Sequence, residues 1–201
     1  MIYVIKHKPF STVPLEGYED LNVGAGEELS RFNPYINEAT GLYEIWKKPD
    51  EYKGLVHYRR FFIEDGEYLT LERAKEILSE HDVITTVDFE PTTPIEHLKK
   101  NLDDGIVEKY ISKLPEDVRA FFETHHAFNI CSMFVSRREF IDHYCEWMFP
   151  IVIPMVEQFI REDLTGDTKR NRTIGFIIEC LFGYYCKDFD RYKLPIKSGG
   201  N

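Results

Sequence analysis

Four consecutive residues, His57-Tyr58-Arg59-Arg60, form the densest set of chemically able side chains in this sequence: an imidazole, a phenol and two guanidiniums. They follow the apolar pair Leu55-Val56. A strand exit has no structural use for adjacent cations, because burying such groups unpaired costs several kcal/mol, roughly a fold's whole margin. A guanidinium fork matches two phosphate oxygens at once, so the chemistry these residues suggest is capture of a small anion, with a diphosphate the leading candidate. If the strand continues, residues 59 and 60 face opposite sides, which leaves one of them to pair with a structural acid. His57 has three roles open: a phosphate contact, a metal ligand, or a support for Tyr58.

Other candidates stand elsewhere in the chain. His7 follows a β-branched run at 2–5, and in open α/β sheets ligands sit at the carboxyl ends of strands, although taken alone His7-Lys8 is better explained as a solvated loop. Asp88 ends a strand expected at 83–87 and is, with His57, a candidate metal ligand. Glu179 is the only carboxylate in the apolar stretch 174–186, so it is either an exposed-face residue paired with Arg172 or Lys187, or a site residue with a raised pKa. Gly24-Ala25-Gly26 is a bare G-x-G, a weak sign of backbone close to a phosphate or ring. Adjacent His125 and His126 cannot face the same side of a strand and make a poor metal pair.

Composition narrows the partner. With a net charge of −10 and a pI of about 5.2, the chain has no broad cationic surface for nucleic acid, so any anion it holds is small and locally gripped. The four cysteines show no C-x-x-C pair and read as core residues of a reducing compartment. The N-terminus lacks the apolar run of a signal peptide, and the uncharged stretch 147–156 is half the ~20 residues that span a bilayer, so a cytoplasmic location is expected. Length favours a single domain over 1–196 with a frayed tail at 197–201.

The elements that must position these groups alternate in type. Strands are expected at 2–5, at 54–58 running on into 61–63, and at 83–87, 129–135 and 192–196. Helices are expected over 33–46, 70–78, 94–101, 105–113, 115–123, 137–148 and 174–186. Asn33 caps the first of these, with Pro34 at its first turn, and Asn37 and Thr40 border its apolar stripe, where they could edge a pocket. Pro150 is expected to bend or restart the helix that follows 137, and 11–29 carries no clear period. The alternation implies an α/β fold with a mixed, largely parallel sheet flanked by helices.

INEATGLYEIWKK, GLVHYRRFF, FNICSMFVSRREFIDHYCEWMFPIV and RTIGFIIECL, in that order, resemble a bacterial family of capsular and exopolysaccharide biosynthesis proteins, catalogued as a domain of unknown function and associated with glycosyltransferases. The resemblance runs from IYVIKHKPF to the last helix. It implies a GT-A-like fold and transfer of a hexose from a nucleotide sugar, such as UDP-galactose or UDP-glucose, to a saccharide acceptor. Here Ala25-Gly26-Glu27-Glu28-Leu29-Ser30 replaces the family's acidic segment before the first helix, and no D-x-D follows a strand.

On that resemblance His7, His57, Tyr58, Arg59 and Arg60 serve the donor diphosphate, and Glu179 is the base. Asn37, Thr40, Asn129, Met133, Arg172, Gly175 and Phe176 form the acceptor side or pocket wall. A divalent cation, Mn²⁺ or Mg²⁺, remains open, as does its ligand set. The acceptor in such pathways is a free or lipid-linked saccharide at the inner face of the membrane. Trp147, Met148, Phe149 and Ile151 are the candidates for peripheral contact there, with core packing as the competing explanation. The alternative is a non-catalytic paralogue that binds nucleotide sugar or glycan.

Overall fold

Alternate residues along the central strands face two different cores, which is what a period of two demands of a sheet covered on both sides. In this computed structural model, residues 1–6, 15–23, 29–89, 91–126, 128–129 and 131–198 are described. Tyr3, Ile5, Leu55, Val83 and Phe134 pack on one side of the sheet, and Ile2, Val4, Val56, Ile84 and Val135 on the other.

The main path of the sheet runs β2 (Tyr18–Asn22), β1 (Ile2–Lys6), β3 (Tyr52–His57), β7 (Phe134–Arg137), β6 (Val83–Thr86), β8 (Arg191–Leu194). Five of these six strands point the same way, and β7 runs against both its neighbours. β4 (Arg60–Glu64) folds back antiparallel from β3 and pairs with β5 (Glu67–Tyr68) and β9 (Ile196–Ser198). The fold is therefore α/β with a mixed sheet, largely parallel along its main path.

One face carries α1 (Asn33–Ile36), α2 (Ala39–Trp46), α4 (Pro94–Asn101), α5 (Asp104–Ile111), α6 (Glu116–Thr124), α7 (Arg138–Glu162) and α8 (Thr173–Cys186). The other is covered by α3 (Leu71–Ile77) and the β4–β5 hairpin. Local sequence sets several starts: Thr70 accepts from the Arg73 amide, and Thr93 with Glu96 forms a capping box ahead of Pro94.

The structure departs from the sequence expectations at six places. The strand after His57 does not continue: Tyr58 and Arg59 form a turn, and His57 pairs with Arg60 across it. Arg59 and Arg60 therefore do not sit on opposite faces of one strand. The helix expected over 33–46 breaks at Asn37, whose φ of 52° leaves the helical region. The strand expected at 129–135 starts at Phe134, because the chain before it turns through Ser132 at φ 47°.

At 18–22 an edge strand forms in spite of its charges, since an edge strand buries little and Asp20 pairs with Lys6 at 2.5 Å. Residues 197 and 198, expected as frayed tail, pair with β4, and Pro195 divides the expected last strand into β8 and β9. Helix α7 runs unbroken through Pro150 and Pro154. Both rings, and Glu146 one turn earlier, lie on its exposed side, where water can take the carbonyls the prolines release.

Of the residues considered for membrane contact, Met148 and Phe149 are buried, Ile151 is half-buried against the core, and Trp147 stacks on Tyr184 and Tyr185. No helix among the described residues is long and apolar enough to cross a membrane. All four cysteines are free and buried.

Two buried charges tie the layers. Lys53, 0% exposed in β3, donates to the Trp46 carbonyl at 2.8 Å and to Asp142 Oδ1 at 2.7 Å, joining α2, β3 and α7. Asp142→Ala strands that ammonium and is expected to cost about 3 kcal/mol in urea unfolding, while Lys53→Met, which fills the volume without a charge, costs less. At the exit of β6, Asp88 accepts from Arg191 at 2.7 and 3.1 Å and from Lys193 at 2.6 Å. Burial pushes its carboxyl up, but these cations outweigh it and hold its pKa below the usual range. Its stabilisation is thus present above the unfolded value of about 3.9 and lost as pH falls through the lower folded value. The deficit of Asp88→Asn, measured by unfolding at pH 7 and stepwise towards pH 3, is expected to shrink below about pH 4.

Candidate functional site

The exit of β1 opens onto a cleft of about 280 Å³, lined by Ile5, Val23, Asn33, Asn37, Glu38 and Arg172 among others. Its wall is the turn between α1 and α2. Asn33 Nδ2 donates to the Thr40 hydroxyl at 2.8 Å, and that hydroxyl donates to the Asn37 carbonyl at 3.0 Å. This clamp holds Asn37 at φ 52°, ψ −131°, a conformation that costs a non-glycine residue on the order of 1–3 kcal/mol. Such strain persists only where surroundings enforce it, and here they aim the Asn37 side chain at α8. Arg172 Nε donates to Asn37 Oδ1 at 2.7 Å, and its guanidinium lies over the Phe176 ring, 5.3 Å from the centroid.

Helix α8 can come this close because residue 175 is glycine. A Cβ there would lie 2.3 Å from Asn37 Nδ2 and 3.1 Å from the Tyr35 carbonyl. Arg172, Gly175 and Glu179 recur at three and four residues, so one line along α8 presents a cation, a gap and an acid to the same wall. Behind the cleft a second space of about 10 Å³, room for about one water-sized group, is lined by Asn37, Glu38, Ser132, Gly175 and Glu179 among others. Asn37 Nδ2 and Ser132 Oγ are buried there without a hydrogen-bond partner among the described residues.

The ionisable groups around these spaces perturb one another. Burial pushes the Glu179 carboxyl well above the usual carboxylate range, the Glu38 charge adds to the rise, and Arg172 and Arg60 pull against it. Burial also pushes the His57 pKa down, opposed by Glu38 and helped by Arg60 and Arg172. His57 Nε2 lies 3.0 Å from the Cys131 carbonyl. A carbonyl only accepts, so Nε2 carries the proton and the bare Nδ1 faces Glu38 Oε1 at 3.6 Å. Arg60 Nη1 reaches the Cys131 sulfur at 3.8 Å. The Cys131 thiol is itself pushed up to about 11, first by burial and then by Glu179.

The structure thus gathers His57, Arg60, Asn37, Arg172, Gly175 and Glu179. Phe176 supports Arg172, and Thr40 acts through the turn it holds. Tyr58 and Arg59 are at the β3–β4 turn with the guanidinium over the phenol ring, 4.8 Å from its centroid. Asn129 is a buried brace: its Nδ2 donates to Thr86 and its Oδ1 accepts from the Cys131 amide. Met133 is fully buried in the core on the α3 side of the sheet. His7 and Gly24-Ala25-Gly26 lie outside the described residues.

Three contributors escape a sequence reading: Glu38, Cys131 and Ser132. Glu38 reads as a surface acid beside the apolar stripe and is placed in the cleft only because the helix breaks at Asn37. The one sequence hint is the run Asn37-Glu38-Ala39-Thr40, polar residues on both sides of the stripe.

For a divalent cation the donor set does not fit. Asp88 is taken up by Arg191 and Lys193, and both His57 nitrogens are turned to protein groups. Among the described residues no group of three or more His, Cys, Asp or Glu could hold a metal ion. The groups suited to an anion are Arg60 and Arg172.

No curated protein sequence matches the chain. Among solved structures, the apo structure of WbbM, a bifunctional glycosyltransferase, superposes with a TM-score of 0.74 at 21% identity over 100% of this chain. The chain spans 45% of that structure's length, and the likeness is one of fold. Residues 1–190 match the family described as a domain of unknown function, DUF4422, and the chain belongs to that family.

Proposed function

We propose that this protein is a glycosyltransferase that moves a hexose from a nucleotide-sugar donor, UDP-galactose or UDP-glucose in the first instance, to a saccharide acceptor of capsular, exopolysaccharide or other surface-glycan synthesis. One observation carries the reading. At the carboxyl end of β1, in a fold like that of a glycosyltransferase, Glu38 and Arg172 line a cleft of about 280 Å³, Glu179 lines the small space behind it, and Arg60 stands close enough for its charge to act on Glu179. Transfer needs a developing negative charge on the leaving diphosphate stabilised and an acceptor hydroxyl relieved of its proton. Arg60 and Arg172 do the first; Glu38 and Glu179 are the groups at hand for the second. Arg59, Tyr58 and His7 extend the donor side, and Asn129 and Met133 act by bracing the chain that enters β7.

On this reading the acceptor is a saccharide, free or lipid-linked, met at the inner face of the membrane by a cytoplasmic protein. Nucleotide release from UDP-, GDP- and dTDP-sugars, with and without Mn²⁺, tests the activity. Release from at least one donor is expected, and none from any would overturn the reading. A specific donor at 100 times its Kd should raise stability by about 2.7 kcal/mol in thermal unfolding.

Arg60→Lys and Arg172→Lys each lose the bidentate fork and are expected to weaken UDP binding by about tenfold in calorimetry. Unchanged affinity in both would remove the cation assignment. Asn37→Gly should separate stability from function. Relief of the strained φ leaves the melting temperature unchanged or higher, while the loss of the Oδ1 acceptor frees Arg172 and raises the donor KM severalfold.

A further inference from the structure

The two carboxyl groups are not equivalent, and their positions divide the labour between them. Glu38 lines both the larger cleft and the small space behind it, whereas Glu179 lines only the small one. The Glu38 side chain keeps 27% of its exposure. A saccharide in the cleft therefore meets Glu38 first, while Glu179, half-buried, faces only the small space behind it. The small space, about 10 Å³, admits a group the size of a hydroxyl and no sugar ring.

Glu38 also has somewhere to send a proton. The Cys131 carbonyl fixes the His57 proton on Nε2 and leaves the Nδ1 lone pair facing Glu38 Oε1 at 3.6 Å. Two acceptors that close repel unless a proton lies between them, so the pair is set to hold one.

We propose that Glu38, backed by His57, is the group that accepts the acceptor hydroxyl's proton, and that Glu179 is a positioning residue behind it. This rests on the glycosyltransferase reading. In the step, the acceptor O–H proton passes to Glu38 while the oxygen's electron pair forms the new bond to the anomeric carbon. The bond from that carbon to the phosphate oxygen breaks, and its pair leaves with the nucleoside diphosphate beside Arg60 and Arg172. The proton moves from Glu38 to His57 Nδ1, giving an imidazolium whose Nε2–H stays on the Cys131 carbonyl, and is then lost to solvent.

Every charged neighbour bears on the pair. Arg60 and Arg172 disfavour the imidazolium, Glu38 favours it, and burial opposes it most. Burial first, and then the Glu38 charge, favour the neutral form of Glu179, against the pull of Arg172 and Arg60. Glu179 shares the small space with Glu38 and with Ser132, whose Oγ is unpartnered among the described residues.

Gln copies a protonated Glu in shape and donor, which makes the test clean. In the nucleotide-release assay with UDP-galactose, UDP-glucose and a saccharide acceptor, Glu38→Gln is expected to lose at least ~100-fold in kcat with donor KM within about threefold. Glu179→Gln is expected to lower kcat by far less than Glu38→Gln does and to keep the wild-type pH profile, as a positioning residue would. Since a raised carboxyl pKa costs stability as pH rises above the unfolded value of about 4.3, Glu179→Gln should also gain melting temperature over wild type between pH 5 and 8. His57→Gln should lower kcat and flatten the acid limb of the pH profile; Glu38→Asp, kept folded by its exposure, serves as the second Glu38 variant.

Full turnover in Glu38→Gln, or a dead Glu179→Gln with wild-type donor affinity, overturns the proposal while leaving the glycosyltransferase reading intact. A wild-type protein silent with every nucleotide sugar overturns the reading itself.

Discussion

Where α8 crosses the turn after α1, the two backbones stand so close that Gly175 has the side-chain amide of Asn37 where its Cβ would be. Much follows from that approach. It confines Asn37 to a strained backbone, directs Asn37 Oδ1 to Arg172, and places Glu38 at the mouth of the space where Glu179 ends. The clamp of Asn33 and Thr40 holds the same turn from its other side. A larger residue at 175 would push the helix and the turn apart and separate the two carboxyl groups by the same movement. Packing and chemistry are thus set by one contact.

An acidic protein that holds an anion must concentrate its cations. With a net charge of −10 the chain's long-range field repels a nucleotide, so attraction has to come from short distances and low dielectric. Two arginines far apart in sequence answer this: Arg172, from the entry of α8, lines the cleft, and Arg60, from the β3–β4 hairpin, stands close enough to act on His57 and Glu179. Each is oriented by a neighbour, Cys131 or Asn37, and neither hydrogen-bonds to a carboxylate among the described residues. By contrast, Asp88, which as a bare carboxylate at a strand end suggested a metal ligand, is committed to Arg191 and Lys193 and serves the sheet.

Much of the framework was legible in the residues. The central strands, most helices and the capping box at Thr93 follow from apolar periodicity and local turn chemistry, and His57 and Arg60 stand out as charges where a core would reject them, whereas Arg172 and Glu179 join them only through the family resemblance. What escaped depends on backbone events that periodicity does not encode. The turn at Tyr58-Arg59 looks like strand because Arg60-Phe61-Phe62 resumes at once. Asn37 keeps helical spacing on either side of its break, which hides Glu38 among surface acids. Pro150 and Pro154 read as stops, yet the apolar residues between them secure more than two lost hydrogen bonds on a wet face can undo. Cys131 and Ser132 matter through a carbonyl and a turn, for which side-chain type is silent.

The reversed strand β7 has a consequence for how the site comes into being. Along the main path of the sheet, the other strands leave the site end as exits, while β7 enters from it, bringing the Cys131 carbonyl to His57 across 74 residues of chain. Closing so long a loop is an entropic cost met only once the sheet has assembled on both sides of β7. The contact that fixes the His57 tautomer is therefore non-local, present only when the chain entering β7 is docked beside β3. On the proposed mechanism, the pair that takes up the proton would be completed by topology and not by local structure.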